Sequence, residues 1–366
     1  MKIKTITCHD VYNAGASLQT YAFNAYIRGL GYDAEIIDYK PDYLMHYRLF
    51  GVTNPKYNRP FLREIYQAAK FPERLKQRFF SKKKRAFDCF TAQLPLTKRY
   101  NSNEALKIDP PEADVYFAGS DQIWNTSFKN GQDPAFYLDF VPPGKIKASY
   151  AASFATEDVE EAWKPQVKKW LSGLDFIAVR ESSGLRILRN LGIENAVHVC
   201  DPVFLLAREE WEKAAKPLRL EKPYLLVYDF DRNPRIKNYC LTAAKQYGWR
   251  ICSVLYNDYS ECCFDDEGPA SFLTLVKEAE YIVSNSFHAA AFSLIFEKPF
   301  AVFRREEKIN TRMEDLLSML GLERLLEPAV GTIEQVDYSA VRPRLEDFVK
   351  ESKAYIDTVL KGNRES

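Results

Sequence analysis

The chain has 366 residues, 46% hydrophobic and 28% charged, with 51 basic against 50 acidic side chains. That is an ordinary composition for a folded protein, long enough for two cores, and a formal net charge of +1 excludes bulk electrostatics as a guide to a partner. Seven cysteines without a C-x-x-C pair exclude a disulfide framework and a cysteine zinc site, which favours a reducing, cytoplasmic setting.

In chain order, residues 3–7 read as a strand that starts too early for an export signal, and no apolar run approaches the roughly 18 residues of a membrane helix. A loop from His9 to Gln19 follows, then a helix with Leu18, Tyr21, Ala22, Ala25, Tyr26 and Leu30 on one face, closed by Gly31. Ala34–Tyr39 gives the second strand. Strand, loop, helix, strand opens an α/β sheet, and such sheets bind ligands beyond the carboxyl ends of their strands. The loop from Cys8 to Ser17 is therefore a candidate site wall, although a single Gly15 is no dinucleotide fingerprint.

Between about residues 45 and 100 an insertion is expected. Lys56, Arg59, Arg63, Lys70, Arg74, Lys76, Arg78 and Lys82-Lys-Lys-Arg85 alternate there with Tyr57, Phe61, Tyr66, Phe71, Phe79 and Phe80. One reading is a solvated insertion. The other is an anion-facing surface over residues 56–85, suited to a membrane interface or a lipid-linked pyrophosphate. No nucleic-acid-binding motif accompanies it, so nucleic acid is not an expected partner.

Asp114–Ala118 is the next strand, ending in Gly119-Ser-Asp-Gln-Ile-Trp-Asn125, where Asp121 either projects from the functional edge or joins Ser120 in capping a helix. Lys145–Ala152 reads as a further strand. Leu174–Val179 delivers Arg180 to its end, either as a bidentate anion clamp or as half of an ion pair with Glu181 or Asp175. Val197–Cys200 closes a first domain spanning residues 1–205, and residues 206–222 connect it to a second over 223–342. There, strands at Tyr224–Tyr228, Arg250–Leu255, Tyr281–Val283 and Pro299–Phe303 alternate with helices, and residues 343–366 keep helical spacing for a segment that packs back.

The stretch from Tyr281 to Phe300 concentrates the chemistry of the second half. A buried strand runs into Ser284, Asn285 and Ser286, all capping residues, and then a helix whose first turn carries His288. Free amides and the positive end of the helix dipole make that turn an anion site.

Six segments together resemble the polysaccharide pyruvyl transferase family: Asn13-Ala-Gly-Ala-Ser-Leu-Gln19, Gly119–Asn125, Ser149-Tyr-Ala-Ala-Ser-Phe154, Val179-Arg-Glu181, Asp201-Pro-Val-Phe-Leu205, and Ser286-Phe-His-Ala289 with Lys298-Pro-Phe300. The resemblance implies an α/β fold of two Rossmann-like domains facing across a cleft, similar to the GT-B arrangement. It also implies transfer of the enolpyruvyl unit of phosphoenolpyruvate onto two hydroxyls of a sugar to form a pyruvate ketal. The implied catalytic residues are His288, as proton donor, and Asp121, while Arg180, Ser286, Phe287, Asn285, Ser120 and Arg312 are the implied donor-binding residues. His9, Tyr12, Asn13 and Gln19 are expected to meet the acceptor, either soluble or linked to a lipid pyrophosphate. No obligatory cofactor and no metal ligand set is expected. One departure stands out: the family's Arg-Leu-His triplet falls on Ser286, Phe287 and His288, so the missing charge must come from Arg304, Arg305, Lys308 or Arg312. Two rival readings share this architecture, a nucleotide-sugar glycosyltransferase and a non-catalytic glycan or lipid-phosphate binder.

Overall fold

The structure, a computed structural model, describes residues 1–46, 60–307 and 309–362. Short runs of branched and aromatic residues form the strands β1 (Lys2–Ile6), β2 (Asp33–Tyr39), β3 (Leu96–Tyr100), β4 (Val115–Ala118) and β5 (Ile146–Ser149). They make one parallel sheet in the order β3-β2-β1-β4-β5, with Thr5 opposite Ile36 on one side and Phe117 on the other. Between them run α1 (Ala14–Gly29), α2 (Pro60–Phe80), α3 (Lys82–Thr91) and α4 (Asn103–Ile108), and after β5 comes α5 (Lys164–Leu171). Bridges from Ala148 to Phe176 and from Ala152 to Val179 continue the sheet to β6 (Ile177–Val179) and β7 (Ala196–His198), joined by α6 (Ser182–Asn190).

Two differences from expectation matter for the site. The strand expected over Lys145–Ala152 stops at Ser149, because Ala151 turns the chain at a φ of 51°. Ala152 thereby pairs with both Asp121 and Val179, which draws the ends of β4 and β6 together. The expected insertion also ends early: α3 buries Phe87 and Phe90, and residues 96–100 form the sheet edge as β3. Charged, half-exposed edge strands carry little apolar signal, which is why Leu96-Thr-Lys-Arg-Tyr100 does not read as a strand. Lys56, Tyr57 and Arg59 of the basic stretch lie outside the described residues.

After α7 (Arg208–Ala214) a second parallel sheet forms from β8 (Tyr224–Tyr228), β9 (Arg250–Ser253), β10 (Cys262–Cys263), β11 (Tyr281–Ser284) and β12 (Phe300–Val302), ordered β10-β9-β8-β11-β12. Its helices are α8 (Pro234–Tyr247), α9 (Pro269–Glu278), α10 (Phe287–Ile295) and α11 (Thr311–Leu320). The two sheets thus share one strand order, and each reverses direction beside its first strand, between β1 and β4 and between β8 and β11. Parallel sheets open a crevice at that reversal. The last helix, α12 (Tyr338–Lys361), returns to the first domain, where the Tyr355 hydroxyl donates to the Ser149 carbonyl at 2.8 Å and the Cys200 amide donates to Ser352 Oγ at 2.8 Å. One apolar cluster runs through both halves, with Leu18 and Phe23 of α1 in the same core as Trp211, Phe272 and Phe292.

Candidate active site

The two crevices meet. From the first domain, Asn13 caps α1, accepting from the Ala16 amide at 3.2 Å, and Asp121 follows β4 at a φ of 70°. Gly119 is required there, since its φ is 136° and a Cβ would lie 2.0 Å from the Tyr150 carbonyl oxygen. Arg180 leaves the end of β6. From the second domain come Ser286, Phe287 and His288 at the start of α10, Arg305 after β12 and Arg312 in α11. Asn13, Asp121, Ser286, Phe287, His288, Arg305 and Arg312 line one pocket.

Its centre is a buried charge cluster. One oxygen of Asp121 accepts from Arg180 Nη2 at 2.9 Å and from Arg312 Nη1 at 3.1 Å, linking the domains. Arg180 Nη1 also donates to Asp201. His288 Nε2 stands 3.7 Å from the same Asp201 oxygen and has no hydrogen-bond partner among the described residues. Both guanidiniums lie against the Phe287 ring, with Arg180 Cζ 4.9 Å and Arg312 Cζ 5.8 Å from its centroid. The Nε atoms of Arg180 and Arg312 are buried and likewise unpartnered among the described residues. Two guanidinium Nε donors and one imidazole nitrogen, which donates when it carries hydrogen, therefore stand unsatisfied on the residues packed around Phe287, and a bound anion satisfies such donors.

His288, Arg312 and Asp121 titrate away from their ordinary values. Burial lowers the His288 pKa, against the opposing pull of Asp201 and Asp121. Burial, then the neighbouring Arg180, pushes Arg312 down to about 10. Burial works to raise Asp121, but Arg180, Arg312 and His288 outweigh it and hold the carboxylate far below its usual range. Asp121 is thus a permanent anion and a weak base.

Gly15 completes the contact between the domains. A Cβ there would lie 2.1 Å from His288 Nδ1, so only glycine lets the start of α1 approach the imidazole this closely.

Some of the other expected site residues lie outside the pocket. Arg180 pairs with neither Glu181 nor Asp175: Glu181 Oε1 instead accepts from Ser153 Oγ and the Phe154 and Ala155 amides, and Asp175 accepts from the Lys147 amide. Ser120, expected at the donor, is fully buried and donates to the Ala151 carbonyl. Gln19, expected at the acceptor, is also buried; it donates to Thr7 Oγ1 and accepts from the Ser120 amide, so it props the turn from beneath. His9 is buried 3.3 Å from Asp38, away from the pocket. Tyr12 borders a neighbouring cavity, and its hydroxyl donates to Asp88. Asn285 stays at the pocket wall, where its amide donates to Asp229 at 2.8 Å.

Of the cations proposed to replace the family arginine, Arg304 is tied to Glu314 and Glu327 outside the pocket, and Lys308 lies outside the described residues. Arg305 and Arg312 remain, both lining the site. Asp201 received no role from sequence, because only the fold brings it between Arg180 and His288. Among the described residues, no group of three or more His, Cys, Asp or Glu is placed to hold a metal ion.

No curated protein sequence matches the chain significantly. Among solved structures, a candidate UDP-N-acetylglucosamine 2-epimerase from Listeria monocytogenes is similar at 9% identity with a TM-score of 0.52, covering 100% of this chain and 97% of its own. The UDP-N-acetylglucosamine 2-epimerase of Methanocaldococcus jannaschii is similar at 13% identity with a TM-score of 0.51, covering 95% and 93%. At such identities the likeness concerns the fold alone, and that fold is the GT-B arrangement of two Rossmann-like domains. Residues 13–307, most of the chain, match the family described as polysaccharide pyruvyl transferase, and the chain accordingly belongs to that family.

Proposed function

We propose that this protein transfers the enolpyruvyl unit of phosphoenolpyruvate to two hydroxyls of a sugar, giving a cyclic pyruvate ketal and inorganic phosphate. What carries the reading is the set of unsatisfied donors around Phe287: Arg180 Nε, Arg312 Nε and His288 Nε2. Phosphoenolpyruvate has two anionic ends, a carboxylate and a phosphate, and two guanidiniums flanking one ring suit it. The first-turn amides of Phe287 and His288, which a helix leaves without carbonyl partners, add a third anchor. Arg305 borders the same space, paired with Asp231 and Glu307, and on this reading it supplies the charge that Ser286 lacks.

The chemistry begins with a proton. His288 Nε2 delivers it to the methylene carbon, the enol double bond supplies the electrons, and positive charge develops at the carbon bearing the phosphate oxygen. One sugar hydroxyl attacks that carbon and passes its proton to His288 Nε2, which has just given one up. The carbon–oxygen bond to phosphate then breaks, phosphate leaves with the bonding pair, and the second hydroxyl closes the ketal, its proton passing to solvent. Arg180 and Arg312 hold the carboxylate and the departing phosphate while charge redistributes. Asp121 orients both cations, and Asp201 holds Arg180 in register beside the imidazole. No cofactor is required by this sequence of steps.

Calorimetric titration with phosphoenolpyruvate and, separately, with UDP tests the reading without knowledge of the acceptor. Phosphoenolpyruvate is expected to bind, and Arg312→Ala to weaken it by roughly 10- to 150-fold, since a charge-assisted hydrogen bond contributes about 1.5 to 3 kcal/mol. Binding of UDP with none of phosphoenolpyruvate would favour the nucleotide-sugar glycosyltransferase instead.

A further inference from the structure

The helix α2 is amphipathic, yet its apolar stripe faces outward. Ile65, Ala68, Pro72, Leu75 and Phe79 recur at spacings of three and four residues, and all five are exposed, Ile65 by 52% and Phe79 by 58%. A helix of a globular domain turns such a stripe inward. Phe80, next to the stripe's end, is 69% exposed. The helix carries five Lys and Arg against two Glu, and residues 60–91 together hold nine Lys and Arg against three Asp and Glu, whereas the rest of the chain has an acidic excess.

The helix is tethered beside the active site. At Ser81, whose Oγ accepts from the Lys84 amide at 3.1 Å, the chain turns into α3. That helix is fixed by buried Phe87 and Phe90 and by a 3.5 Å pair between Lys82 and Asp266 of the second domain. Lys83 and Phe87 line the cavity that Tyr12 borders, and the next residue, Asn13, lines the active site.

We propose that α2 is an interfacial helix that docks the protein on an anionic lipid bilayer. Its stripe enters the boundary between headgroups and acyl chains, while the exposed Lys70, Lys76 and Arg85 meet lipid phosphates. The helix lies on the bilayer and does not cross it: its 21 residues include seven charges, and no described helix is long and apolar enough to span a membrane. The surface would bring a lipid-linked sugar to the cleft. Only that last statement rests on the pyruvyl-transfer reading, and it names the substrate class for which such docking is useful.

Sedimentation with vesicles tests the proposal, using pure phosphatidylcholine and a mixture with about one third phosphatidylglycerol. The protein is expected to sediment with the anionic vesicles alone, and less so as salt is raised. The triple variant Ile65→Ser, Leu75→Ser, Phe79→Ser is expected to lose binding by at least about tenfold, because each buried methylene contributes to interfacial affinity. These side chains are exposed, so the variant should keep its circular dichroism and thermal midpoint. Equal sedimentation of wild type and triple variant would overturn the proposal, as would no sedimentation with either vesicle. A wild-type dimer that the triple variant converts to monomer would assign the stripe to a second copy of the chain and equally overturn it. Absence of phosphoenolpyruvate binding would count against the catalytic reading and leave the vesicle result intact.

Discussion

His288 occupies a position that favours its neutral form in the free protein. Burial removes the water that would solvate an imidazolium, and the pKa falls below its ordinary value of about 6.5 in spite of Asp201 and Asp121. An acid must carry a proton, so the site becomes competent only when something negative joins it. On the pyruvyl-transfer reading, a donor with a carboxylate and a phosphate would supply that charge and reverse the shift. At about pH 7.5 the free histidine is neutral, and with the donor bound it gains a proton, so binding takes protons up from solution. Titrations in buffers of different ionisation heats are therefore expected to show net proton uptake with phosphoenolpyruvate, diminished in His288→Gln. Uptake unchanged in that variant would remove His288 from the acid role. The sign depends on burial dominating the unliganded state, which is where Gly15 matters: by letting α1 press against the ring, it helps to exclude water.

At the scale of elements, α12 links the site to stability at a distance. Its Tyr355 holds the end of β5 through the Ser149 carbonyl, and β5 leads into the turn at Ala151 that joins Asp121 to β6. Ile356, on the inner face of this helix, is fully buried. Ile356→Ala is expected to destabilise the protein by about 2 to 5 kcal/mol, read from denaturant midpoints. A loss under about 0.5 kcal/mol, ordinary for a surface substitution, would show that α12 is not part of the core. The sequence made some elements legible and hid others for physical reasons. The turns at Gly119–Asn125 and Ser284–His288 are local events, a strand end followed by glycine or capping residues, and they were readable. The stripe of α1 and the apolar runs of β8 and β11 were readable from periodicity. In contrast, β3 and β10 are edge strands held by neighbours, not by their own pattern. The loop before α1 was expected to wall the site because it leaves the carboxyl end of β1, and Asn13 does line the pocket, whereas His9 and, within α1, Gln19 are buried. Nothing local marked Asp201 as the partner of His288.

The whole molecule behaves as one body around this site, although its sheets are two. Polar links between the domains, among them Asp121 with Arg312 and Ser182 with Asp315, stand beside a shared apolar core. The α1 helix of the first domain shares its core with Trp211, Phe272 and Phe292, and Tyr21 packs on Trp211 with ring centroids 5.7 Å apart. Domains joined by weak, polar interfaces unfold separately, whereas a shared apolar core couples them. Calorimetry is therefore expected to give a single unfolding transition for the full chain. A ligand seated between the domains adds its binding energy to that transition as a whole, about 2.7 kcal/mol at a concentration 100 times its dissociation constant. Phosphoenolpyruvate should accordingly move one peak upward without splitting it. Two transitions, of which the donor moved only one, would mean that the donor is held by a single domain and that Arg180 and Arg312 do not act on it together.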